Sequence, residues 1–72
     1  MKMSNSNTTV LTAIIDREDE YNFSSFNDIK RRLRMDHHEL SAALTELLSD
    51  NLIMYPGTGG YLVTDKGRKQ AR

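Results

Sequence analysis

Four cations fall within five positions, Lys30, Arg31, Arg32 and Arg34, and a hydroxyl-rich stretch with His37, His38, Ser41, Ala42, Thr45 and Ser49 follows them closely. The chemistry open to the first group is neutralisation of phosphate. Each cation set against a DNA phosphate displaces a counterion and steepens the salt dependence of binding by about 0.9 log units per log unit of salt, without reading sequence. The second group can read bases. A Ser or Thr hydroxyl bonds a donor or an acceptor on a base edge, and the methyl of Thr or Ala can meet the thymine methyl. Lys66, Arg68 and Lys69, with Arg72 behind them, form a second basic set that could touch the backbone or simply be a solvated tail. The plain alternative for the first set is a charged helix face paired with Asp28, Asp36 or Glu39. For the hydroxyl stretch it is the solvated side of an amphipathic helix.

Other chemistries fit less well. His37 and His38 beside Asp36 and Glu39 are residue types that hold zinc or nickel. Neighbouring side chains on a helix diverge by about 100°, however, and the chain has no Cys and no further His to complete a site. No metal and no cofactor is therefore expected. Imidazoles on a DNA-facing surface would instead gain attraction to phosphate on protonation. The glycines of residues 56–61 lack the strand-then-helix setting and the Lys of a phosphate loop, and there is no nucleophile elbow. The expectation is a protein that is not an enzyme.

Three helices and a hairpin are expected to position these groups. Ser6 or Asn7 can cap a first helix whose Val10, Leu11, Ile14 and Ile15 form one stripe. Residues 21–24 alternate aromatic with polar and suit a very short strand. Ser25 with Asp28 forms a capping pattern for a second helix, in which Phe26, Ile29 and Leu33 share a face and Lys30, Arg31 and Arg34 point elsewhere. Asp36 with Glu39 caps a third helix after only a tight turn. There Leu40, Ala43, Leu44, Leu47 and Leu48 make the apolar stripe, opposite His38, Ser41, Ala42, Thr45 and Ser49. Asn51 suits the left-handed position just past its end. Residues 52–55 and 61–64 are β-prone runs around a loop of Pro and Gly, a two-stranded hairpin. After Thr64 the tail can add a short helix, which Gly67 would weaken.

The chain has 72 residues, ten Lys plus Arg against ten Asp plus Glu, and no Cys. A chain this short hides only about 60% of its unfolded surface, so it has room for one core and no deep substrate pocket. The lack of Cys excludes a disulfide framework and fits an intracellular compartment. No run approaches the roughly 20 apolar residues that span a bilayer, and the first seven residues lack a signal-peptide core. No membrane association and a cytoplasmic location are expected. Residues 1–6 read as a loose arm and 7–72 as a single domain. Overall neutrality conceals blocks, acidic at 16–20, basic at 30–34, acidic again through Asp36, Glu39, Glu46 and Asp50, and basic from Lys66 on.

Two motifs, in order, resemble a known family. Residues 26–53, FNDIKRRLRMDHHELSAALTELLSDNLI, are similar to the second and third helices of MarR-like and PadR-like transcriptional regulators, with Leu40, Ser41, Leu44, Leu47 and the ending Asn51, Leu52, Ile53 at the recurring positions. Residues 60–71, GYLVTDKGRKQA, resemble the exit of their wing. The resemblance implies an α+β winged helix-turn-helix with a three-helix core, a short strand and a C-terminal two-stranded β-hairpin wing. It also implies binding to double-stranded DNA, commonly as a homodimer, with the third helix in the major groove and the wing near the minor groove. On that reading His37, His38, Ser41, Ala42, Thr45 and Ser49 would face bases, while Lys30, Arg31, Arg32, Arg34, Lys66, Arg68 and Lys69 would face the backbone. The chain departs from the pattern in three ways. Its wing tip has no Arg or Lys, its third helix has no basic residue and carries Glu39 and Glu46, and the long terminal helices through which many relatives dimerise have no counterpart. A dimer would then use the first helix or the N-terminal arm. The competing reading is a winged helix that docks on a protein partner, another regulator or a transcription complex, without touching DNA.

Overall fold

The computed structural model describes residues 4–19, 25–57 and 59–71. Among them are four helices and one hairpin: α1 (Asn5–Asp19), α2 (Phe26–Leu33), α3 (His37–Ser49), β1 (Ile53–Met54), β2 (Leu62–Val63) and α4 (Asp65–Gln70). The protein is a small α+β fold. The short strand expected at Tyr21, Asn22, Phe23 and Ser24 lies outside the described residues.

Local signals explain most helix ends. The Ser25 hydroxyl accepts the Asp28 N–H at 3.2 Å and starts α2, and an Asp36 carboxylate oxygen accepts the His38 N–H at 3.0 Å and starts α3. These side chains satisfy amides that have no partner within their helices. Asn51, at φ 60°, takes the left-handed conformation expected of it past α3. Arg34 does the same after α2, at φ 54°, a conformation that L side chains enter at a cost of about 1–2 kcal/mol. α1 departs from expectation. It begins at Asn5, because the Ser4 hydroxyl caps it by accepting the Asn7 N–H at 3.2 Å, so Ser6 and Asn7 lie inside its first turn.

α1 crosses α3 and carries the centre of the core. Val10, Leu11, Ile14, Ile29, Leu40 and Leu47 are almost wholly buried, with Ala43, Leu44, Leu52, Ile53 and Val63 around them. A buried side chain of this size contributes about 1.5–3 kcal/mol, so these residues supply most of the driving force. Leu48 does not join them as its spacing suggested, being 36% exposed at the flank of the α3 stripe.

The hairpin is shorter than its β-prone runs. Its strands pair antiparallel only at Ile53 with Val63 and Met54 with Leu62, and the Thr64 N–H extends the ladder to the Leu52 carbonyl at 3.1 Å. α4 forms despite Gly67, and because of it. The Thr64 hydroxyl caps α4 through the Gly67 N–H at 3.0 Å and donates to the Asn51 carbonyl at 2.6 Å, tying α4 to the end of α3. A Cβ on Gly67 would overlap the Leu52 carbonyl oxygen and approach Val63 Cγ2 to 2.7 Å, so the missing side chain is what lets α4 sit on the hairpin.

Candidate nucleic-acid interface

α3 carries the first half of the candidate site. Its buried residues Leu40, Ala43, Leu44 and Leu47 define one side, and at 100° per residue the opposite side is led by His38, Ala42, Thr45 and Ser49. All four are exposed, as is His37, whereas Ser41 is half-buried on one shoulder. The His37 ring leans on Phe26 of α2, with centroids 5.0 Å apart, and meets the His38 ring edge-on at 5.8 Å. His37 therefore belongs to the α2–α3 corner, and the outward face proper is uncharged, small and hydrogen-bonding.

The acidic residues of α3 sit on its other shoulder, turned to the start of α1. Glu46 accepts the Asn7 side-chain N–H at 2.8 Å, and Glu39 accepts the Ser6 hydroxyl at 3.3 Å. α1 has no acidic residue in its first turn, so Glu39 and Glu46 bring to the positive end of its dipole the charge its own sequence omits. The same contacts hold both carboxylates off the outward face.

α2 supplies the basic half, though not as one face. Lys30, Arg31 and Arg34 line a shallow depression of about 580 Å³ together with Asn27 and Met35. Arg32 lies elsewhere. It lines a depression with Thr9, Thr12, Asp16 and Leu33 on the α1 side, because it stands about 160° around α2 from Lys30. Among the described residues neither the three cations of α2 nor Arg34 form an ion pair, so the pairing with Asp28, Asp36 or Glu39 that the plain alternative would give is not seen. Asn27 was not singled out by sequence, although it precedes Lys30, Arg31 and Arg34 at helical spacings of three, four and seven.

Asp28 has a local role. Hydrogen bonds from the Ser25 hydroxyl and then the Ser25 backbone N–H hold its carboxyl below the usual carboxylate range, and Arg17 and Arg31 add smaller attractions. It completes the α2 cap.

The second basic set is divided as well. Arg68 is bound to Asp19 at 3.1 Å and to Glu18 at 3.4 Å, and the hydrogen bond it donates to Asp19 leads the causes that raise its pKa above the ordinary value. It holds α4 against the end of α1. Glu18 also accepts the Val63 N–H at 2.9 Å, fixing β2 to the same helix end. Lys66 and Lys69 are exposed on α4. The hairpin presents aromatic rather than basic groups, with Tyr55 53% exposed and its ring 5.0 Å from that of Tyr61. Burial, with a smaller contribution from Tyr55, raises the Tyr61 phenol above its ordinary pKa of 10.0.

Among the described residues, no three His, Asp or Glu side chains converge as metal ligands, and no helix is long and apolar enough to cross a membrane. No protein-family model matches this chain, and no curated protein is significantly similar to it.

Proposed function

We propose that the chain is a small winged-helix DNA-binding transcriptional regulator, in which α3 reads bases in the major groove and the basic α2 lies on the phosphate backbone. One observation carries this reading. The depression lined by Asn27, Lys30, Arg31 and Arg34 holds three cations that form no ion pair among the described residues, one tight turn away from a helix whose outward face is uncharged and rich in hydroxyls. A polyanion is the complement of the first surface and base edges are the complement of the second. The displacement of Glu39 and Glu46 to the α1 side supports it further, since those carboxylates would otherwise repel phosphate.

A duplex titration at several salt concentrations tests the proposal. Arg31→Ala combined with Arg34→Gln, the latter keeping the left-handed backbone strain nearly equal, should reduce the slope of log affinity against log salt by roughly 2. Amide shifts at His38, Ala42 and Thr45 should accompany binding. A slope unaffected by the double substitution would overturn the backbone half of the reading, and silent amides on α3 the base-reading half.

The alternative, a winged helix that docks on a protein partner, draws on the exposure of Leu48, Met54 and Tyr55. It would be favoured by a stoichiometric protein complex together with no duplex binding at low salt.

A further inference from the structure

A separate cleft of about 320 Å³ opens between α1 and α2, lined by Ala13, Arg17, Asp28, Ile29, Arg31 and Arg32. Its apolar part is solid, since Ile29 is 1% and Ala13 5% exposed. Its polar part is unbalanced. Among the described residues three guanidinium groups line it against one carboxylate, Asp28, which is taken up by the Ser25 hydroxyl and backbone N–H. Arg17 is the lone cation of the acidic end of α1, yet it makes no ion pair with Asp16, Glu18 or Asp19 among the described residues. Among the described residues its Nε–H is buried without a hydrogen-bond partner. A buried donor left unpaired is costly, and such groups are ordinarily satisfied by an acceptor.

We propose that this cleft binds a phosphate group, with Arg17 and Arg32 as its principal donors and Arg31 as a third. A phosphate dianion supplies several acceptor oxygens at once, and guanidinium forks match that geometry with paired hydrogen bonds. The apolar floor at Ala13 and Ile29 leaves space beside the anion for a small organic substituent, so a phosphate monoester suits the site as well as the free ion. Arg31 lines both this cleft and the basic depression with Lys30 and Arg34. An anion bound between α1 and α2 therefore draws Arg31 away from the DNA backbone and weakens duplex binding. That last consequence rests on the DNA-binding reading, whereas the anion site itself does not.

The test follows the Arg17 side-chain Nε–H resonance of the intact protein during titration with sodium phosphate, against sodium chloride at matched ionic strength, with no DNA present. Phosphate should give a saturating shift that chloride does not. Arg32→Gln should weaken it roughly tenfold and Arg32→Lys less, because Lys keeps the charge and loses the fork. Arg32 is exposed, so neither substitution threatens the fold. As a second readout, Arg17→Met keeps the aliphatic stem and should abolish the rise in melting temperature that phosphate gives the parent protein. The site is overturned by an equal drift in chloride, by equal phosphate affinity in all three Arg32 forms, or by an Arg17 resonance that responds to duplex and not to free phosphate. Failure of duplex binding alone would leave these readouts intact and count only against the DNA reading.

Discussion

Single residues in this protein carry loads that their types disguise. Gly67 stands in a helix, where Ala is intrinsically better by about 1 kcal/mol. Yet the Cβ of Ala would overlap the Leu52 carbonyl oxygen, a backbone atom that is itself bonded to the Thr64 N–H. Overpacking against atoms that cannot rotate away costs about 1–3 kcal/mol or more, so the clash outweighs the propensity. Gly67→Ala should lower stability by about 1–2 kcal/mol, read from the midpoint of chemical unfolding; an unchanged or higher midpoint would show that α4 does not dock as described. Asp28 carries a load of a different kind, through charge. Its folded pKa is depressed below 3.8, chiefly by Ser25, so its contribution is fully present above that value and is lost as pH falls through the lower folded value. Asp28→Asn should therefore be less stable than the parent at neutral pH, with the difference closing under acid. A difference that persists undiminished under acid would mean the amide fails for a reason other than charge.

At the scale of elements, legibility in the sequence followed locality. Ser25, Asp36 and Asn51 act on amides and dihedrals within three residues of themselves, and the ends of α2 and α3 were readable from them. Arg34 takes the same left-handed turn as Asn51 but was silent, because Arg has no preference for that conformation and Asn does. Ser4, Asn5, Ser6 and Asn7 all offer caps, so α1 starts two or three residues before the expected position: the Ser4 hydroxyl takes the cap, and the Asn7 side chain is committed to Glu46, 39 positions away. Arg32 and Arg68 were grouped with their neighbours in sequence, while helix rotation and the carboxylates of Asp19 and Glu18 separate them in space. The α1–α3 link can be measured. Asn7→Ala removes a part-buried hydrogen bond to a charged acceptor, about 1.5–2 kcal/mol, and returns about 0.6 kcal/mol of helix propensity. A net loss of about 1 kcal/mol in unfolding free energy is expected, with Glu46→Gln, which can still accept, losing less. A larger loss in Glu46→Gln than in Asn7→Ala, which keeps the carboxylate, would make charge at the α1 N-terminus, rather than the hydrogen bond, the source of the effect.

At the scale of the whole molecule, the zero net charge is distributed so that the proposed DNA face is locally positive and everything behind it compensates. Arg68 is neutralised by Asp19 and Glu18, and Glu39 and Glu46 are committed to the start of α1. There is then little overall field to steer a polyanion, and non-specific affinity should be low. The carboxylates nearest the proposed interface set how low. At roughly 10 Å in water, one unit charge acts on a phosphate with about 0.4 kcal/mol, a factor of about two in affinity. Glu39 is the one to change, because it is exposed and its contact with Ser6, at 3.3 Å, is long, so stability should hardly move. Glu39→Gln is expected to raise duplex affinity about twofold at low salt for any sequence, and the gain should vanish as the Debye length contracts to about 3 Å near 1 M salt. A gain confined to particular base sequences would place Glu39 against base edges instead. No gain at any salt would move the DNA surface away from α3 and shift the balance toward a protein partner.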